Sequence, residues 1–129
     1  MTERQKADEH ARRLAVMADD SGVAATEEPE KNRHLFASHL AVGPRKPGDE
    51  RATVLEVGGA VAFATRGGLL PAQAGDELAA AGWPVDAIAK RFRFSLDRSW
   101  SRDENDAFTP ERMRDIRRSA QEWLTRNGG

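Results

Sequence analysis

The sequence predicts an α+β fold in which a small antiparallel sheet packs against helices. Three observations lead to this prediction. Two apolar runs between residues 52 and 65 flank a pair of glycines, residues 88–96 alternate in polarity, and the C-terminal residues keep helical spacing over the longest stretch. The predicted sheet therefore combines a hairpin at 52–65 with a third strand near 88–96.

Length and composition indicate a single domain spanning residues 1–129. The hydrophobic fraction is 39% and much of it is alanine, so we expect a thin core. The 20 basic and 21 acidic side chains leave a net charge of -1. Any attraction to nucleic acid or to an anionic membrane must therefore be local.

The chain contains no cysteine, which excludes disulfides, thiolate metal sites and cysteine nucleophiles. Its first residues are polar and lack the apolar region of a signal peptide, and no apolar run approaches the roughly 18 residues of a membrane span. We expect a cytoplasmic protein that does not bind membranes.

Two helices are predicted before the hairpin. The first covers residues 3–18, and its stripe is mostly alanine, so we expect it to be mobile. The second begins at Thr26 and ends before Gly43, with apolar side chains facing the core. His34 and His39 are five residues apart in it, a poor spacing for one helical face, and we expect no metal site.

The hairpin prediction depends on Gly58 and Gly59, which supply the backbone conformation of a two-residue turn. A helix through the same residues would place both glycines at its centre, at a cost of about 1 kcal/mol each relative to alanine. The hairpin has two apolar faces, so either a homodimer covers one of them or the second and the C-terminal helix cover both within one chain.

Two further helices are predicted from their end signals. The first starts at Pro71 and continues through Ala81. The second is C-terminal, with Thr109 as N-cap and Pro110 at the first helical position. Its apolar positions keep helical spacing to near the end of the chain: Met113, Ile116, Ala120, Trp123 and Leu124.

The stretch from residue 82 to 102 allows two interpretations. As a strand, apolar residues such as Phe92 and Phe94 alternate with basic ones, and this is the interpretation adopted in the predicted fold. As a helix, Val85, Ile88 and Phe92 share one face and Phe94 points away from it.

Each interpretation resembles a known family. Read as a helix, AIAKRFRFS followed by WSR resembles the second helix-turn-helix of AraC-type regulators, with Arg93 where that motif has glycine. This resemblance implies DNA binding through residues 84–106. Read as a strand, the Gly82-Trp83 pair followed by IAKRFRF is similar to the opening of pterin-4a-carbinolamine dehydratases, but the histidine-histidine-proline signature of that family is absent.

No catalytic arrangement is recognisable, and we expect neither an enzyme nor a cofactor. The functional prediction is a non-enzymatic protein-binding or regulatory module, because tryptophan and arginine are enriched in binding hot spots. The predicted binding residues are Arg91, Arg93, Arg98, Trp100 and Arg102. The alternative is a helix-turn-helix-like DNA-binding regulator that uses the arginines on phosphates.

Overall fold

The computed structural model describes residues 28–98 and 108–127. This part of the chain forms five helices and contains no strand. They are α1 (Pro29–Val42), α2 (Glu50–Arg66), α3 (Pro71–Ala80), α4 (Val85–Asp97) and α5 (Pro110–Arg126). The predicted α+β fold is therefore wrong, because the described part of the chain is all-helical. The predicted helix 3–18 lies outside the described residues.

The central element is α2, which packs against α1, α3 and α4. Every residue from Val57 to Thr65 is buried. A helix that is buried on all sides lies within the core rather than on the surface. The other helices are therefore arranged around α2.

The hairpin predicted for 52–65 is replaced by this one continuous helix. The carboxylate of Asp49 caps its start by accepting a hydrogen bond from the backbone N–H of Ala52 at 3.1 Å. Two interior glycines cost about 2 kcal/mol together. Burying Val57, Val61 and Phe63 contributes about 1.5–3 kcal/mol each, which outweighs that cost. Because residues 57–65 of α2 are buried on all sides, this part of its sequence shows no helical period that would distinguish it from a strand.

The strand predicted for 88–96 is also wrong, since these residues belong to α4. Ile88, Ala89 and Phe92 are buried and Phe94 is 40% exposed, as the helical interpretation predicted, whereas Val85, which it placed on the buried face, is also 40% exposed. The ring of Phe92 meets that of Trp123 edge-on, with the centroids 5.1 Å apart. The alternation of residues 91–94 fits the period of a helix as well as that of a strand, because it covers only four residues. The packing of Phe92 on Trp123 therefore stabilises the helix over the strand.

The predictions for α1, α3 and α5 are confirmed, with shifts at their ends. α1 begins at Pro29 rather than at Thr26, which lies outside the described residues, and α3 ends at Ala80. Thr109 caps α5, where its hydroxyl accepts a hydrogen bond from the N–H of Arg112 at 3.1 Å. All five apolar positions predicted for the C-terminal helix are buried.

The connection between α2 and α3 is held by α1 and α5. The guanidinium of Arg33 donates to the carbonyl of Gly67 at 2.8 Å, and that of Arg112 donates to the carbonyl of Leu69 at 3.0 Å. The hydroxyl of Ser119 accepts a hydrogen bond from the N–H of Ala72 at 2.8 Å. These bonds fix the C-terminal end of α2, while the candidate site lies along its N-terminal half.

Candidate functional site

The candidate site begins with an aromatic ring of α4 that contacts two arginines, one within the helix and one at its C-cap. The guanidinium carbon of Arg91 lies 5.2 Å from the centre of the Phe94 ring, and that of Arg98 lies 4.8 Å from it. Arg91 and Phe94 have the i, i+3 spacing that places side chains on one helical face, and Arg98 is the C-cap residue that follows α4. Phe94 is 40% exposed, so the stacked group forms part of the protein surface.

This group borders a groove of about 270 Å³ between α2 and α4. The α2 side contributes Arg51, Val54 and Leu55, which are spaced i, i+3, i+4 on one face. The residues from α4 are Lys90, Arg91 and Phe94. Val54 and Leu55 are half-buried. The groove therefore has an apolar floor and a basic rim.

The charges on the rim differ in how firmly they are held. Lys90 forms an ion pair with Glu50 across the two helices, and both side chains are about half exposed, at 51% and 58%. Arg51 is exposed and belongs to the side of the groove that α2 forms. Ion pairs between exposed side chains are worth about 0–1 kcal/mol, so Lys90 can exchange its partner at little cost.

Arg91 is positioned by a glycine on the facing helix. A Cβ atom at Gly58 would lie 2.4 Å from the guanidinium carbon of Arg91, so only glycine leaves room for Arg91 in this position. The half-buried guanidinium thus lies between the backbone of α2 and the Phe94 ring. Gly58 is explained by this contact rather than by a turn.

Of the five predicted binding residues, the structure brings two together. Arg91 and Arg98 meet at Phe94, whereas Arg93 is exposed and its position on α4 lies on a different face. Trp100 and Arg102 lie outside the described residues.

The other residues of the site were not predicted from the sequence: Arg51, Val54, Leu55, Lys90 and Phe94. Two features of the sequence indicate them. Positions 51, 54 and 55 share one face when 50–66 is a helix, and Phe94 points away from the buried face when 88–96 is a helix. This signal becomes visible only when both segments are assigned as helices.

The side chains that line the groove determine which interactions it can make. Its six lining residues include no serine, histidine or carboxylate that could act as nucleophile or base. Within residues 28–98 and 108–127, no group of three or more His, Asp or Glu side chains could hold a metal ion. Apolar contact, cation–π stacking and pairing with anions are the interactions that the lining can make.

Comparisons with protein-family models, with curated proteins and with solved structures found no match. In the described part of the chain, no helix has the length and apolarity needed to cross a membrane.

Proposed function

We propose that this protein is a non-enzymatic protein-binding module whose groove between α2 and α4 binds an acidic segment of another protein. One apolar side chain of that segment enters the groove, and its neighbouring carboxylates pair with the basic rim. The observation that carries the proposal is the exposed Phe94 ring, which contacts the guanidinium groups of Arg91 and Arg98 beside an apolar floor.

The size of the groove supports a side chain as its occupant. Sites for small molecules and cofactors usually measure about 300–1,000 Å³ and enclose most of the ligand. The present groove, at about 270 Å³, lies just below that range and is open to solvent. It can bury an apolar anchor while the rest of the partner remains on the surface.

The charges on the rim support an acidic partner. Arg51, Lys90 and Arg91 line the groove, and the guanidinium carbon of Arg98 lies 4.8 Å from the centre of the Phe94 ring. Arginine pairs with carboxylates through two parallel hydrogen bonds, and arginine is enriched in interface hot spots. The net charge of -1 means that this attraction acts only near the groove.

DNA binding is the second candidate, favoured by the connection between α3 and α4. Residues 81–84 form a four-residue link in which Gly82 has a φ of 100°, which resembles the turn of a helix-turn-helix. However, α3 exposes Asp76 and Glu77, and the start of α4 exposes Asp86. These carboxylates would face phosphates or base edges in that geometry, so the charges favour an acidic protein partner. Arg93, where the AraC resemblance places the turn, lies inside α4.

The reason for expecting a homodimer is removed, because residues 52–65 form a helix rather than a hairpin. It depended on a hairpin with two apolar faces, whereas residues 57–65 are buried within one chain. A second copy therefore remains an alternative occupant of the groove. The cytoplasm remains the expected compartment for either partner.

The test is a selection from a library of displayed random peptides on the immobilised full-length protein. We expect enrichment of peptides that place an apolar residue beside Asp or Glu, and loss of their binding to Phe94→Ala. The matched control is Val85→Ala, because Val85 is also 40% exposed and lies on the same helix but does not line the groove.

Three results would contradict the proposal. They are enrichment that is equal on Phe94→Ala and on the unaltered protein, enrichment of basic peptides, or no enrichment at all. Salt-sensitive binding of duplex DNA with no enriched peptide would favour the DNA-binding alternative instead. If sedimentation equilibrium shows a dimer at micromolar concentration that Phe94→Ala dissociates, a second copy of the chain would replace the acidic partner as the occupant.

A further inference from the structure

We infer that Glu50 is a built-in competitor at the groove, and that a partner carboxylate replaces it on Lys90. This inference rests on the proposed function and specifies how the site selects its partner. The partner must present a carboxylate at the edge of the groove near the start of α2, in addition to its apolar anchor.

The position of Glu50 marks where that carboxylate binds. Glu50 is the first residue of α2, and its carboxylate reaches across to Lys90 on α4. Lys90 lines the groove together with Arg51, the next residue of α2. An anion that contacts Lys90 is therefore at the rim, within the same surface that would hold an acidic partner.

The exchange is feasible because neither side chain is fixed by burial. Lys90 and Glu50 are 51% and 58% exposed, so water solvates both when they separate. Glu50 also lies in the first turn of α2, where the helix dipole favours a negative charge. Its carboxylate thus keeps a favourable environment after it leaves Lys90.

Arg91 does not take part in such an exchange. The residue is half-buried, and its guanidinium lies against Gly58 and the Phe94 ring, which are contacts that an incoming carboxylate does not replace. Lys90 is therefore the cation of the rim that changes its ion-pair partner. A partner carboxylate replaces Glu50 only when its contact with Lys90 is more favourable than the Glu50–Lys90 ion pair. A segment with an apolar anchor but no carboxylate would leave the Glu50–Lys90 pair intact.

The test measures the affinity of the strongest acidic peptide from the library selection by fluorescence anisotropy. We expect Glu50→Gln to tighten binding by about two- to fivefold, because an exposed ion pair no longer has to be broken. The matched control is Glu111→Gln, which removes the same charge from the first turn of α5. Its neighbour Arg112 contacts Leu69, beyond the opposite end of α2 from Glu50.

A second pair of variants isolates the role of Lys90. In a Lys90→Gln background we expect Glu50→Gln to have no larger effect than Glu111→Gln, since the competing pair is already absent. A twin peptide with Gln and Asn in place of its acids should bind equally to the unaltered protein and to Glu50→Gln.

The outcomes separate the two proposals. Equal affinities of Glu50→Gln and Glu111→Gln, or weaker binding by Glu50→Gln, would overturn the competitor role while leaving the groove as the binding site. Peptide binding that is unaffected by Phe94→Ala would instead overturn the proposed function, and the competitor role with it.

Discussion

At the scale of single residues, two glycines within helices meet large side chains whose freedom to move differs. A Cβ atom at Gly58 would meet the end of the flexible Arg91 side chain, while one at Gly75 would lie 2.7 Å from the indole nitrogen of Trp123. Trp123 is fully buried and cannot rotate away. The same substitution at the two positions should therefore have opposite effects.

Gly58→Ala should leave stability unchanged or raise it while weakening partner binding. Alanine in a helix interior is favoured over glycine by about 1 kcal/mol, and Arg91 can yield to the new methyl group. The displaced guanidinium no longer supports Phe94, so the affinity for an acidic peptide should fall severalfold. Urea unfolding and fluorescence anisotropy measure the two effects.

The control for Gly58→Ala is Gly48→Ala, because a Cβ atom at Gly48 meets nothing within 4 Å. This variant should keep the peptide affinity of the unaltered protein. The account of Arg91 would be wrong if Gly58→Ala bound the peptide normally, or if it lost more than about 1 kcal/mol of stability.

At the scale of helices, the contact between α3 and α5 depends on the absence of a side chain at Gly75. Gly75→Ala should lower the free energy of unfolding by about 1–3 kcal/mol, because the added methyl group overfills the space beside Trp123. Urea unfolding provides the measurement, with Gly58→Ala as the counterpart that has a movable neighbour. A stability equal to that of the unaltered protein would show that α3 and α5 can separate without cost.

α3 and α5 could be predicted from chemical signals at their ends, whereas α2 was not predicted although Asp49 caps its start. Pro71 marks α3, and Thr109 followed by Pro110 marks α5, because caps and prolines act locally. α2 lacks a helical period over residues 57–65 because they are buried on all sides, and Gly58 serves packing rather than a turn. In α4 the alternation of residues 91–94 is typical of a strand, but four residues are too few to distinguish the period of a strand from that of a helix.

The candidate site was predictable only in part, for the same reason. Arg91 and Arg98 were found because arginine is a frequent hot-spot residue wherever it lies. Their relation to Phe94 required α4 to be a helix, and the contribution of Val54 and Leu55 required α2 to be one. A site formed between two helices depends on tertiary packing, which local patterns do not contain.

At the scale of the molecule, the groove lies on two helices of a packed core rather than on loops. The C-terminal end of α2 is tied to α1 and α5 through Arg33 and Arg112, and its middle is buried. Sites built on helices hold their geometry better than sites on loops. We therefore expect a partner segment to dock without a large rearrangement of the backbone.

The central claim is that the groove between α2 and α4 binds an acidic protein segment, and amide chemical-shift mapping of the full chain tests it most directly. On titration with the selected acidic peptide, the largest changes should fall on residues 50–55 and 90–98, with Cα shifts of both segments typical of helix. Changes centred on α3 and the first turn of α4, or strand-like Cα shifts at 52–65 or 88–96, would contradict it.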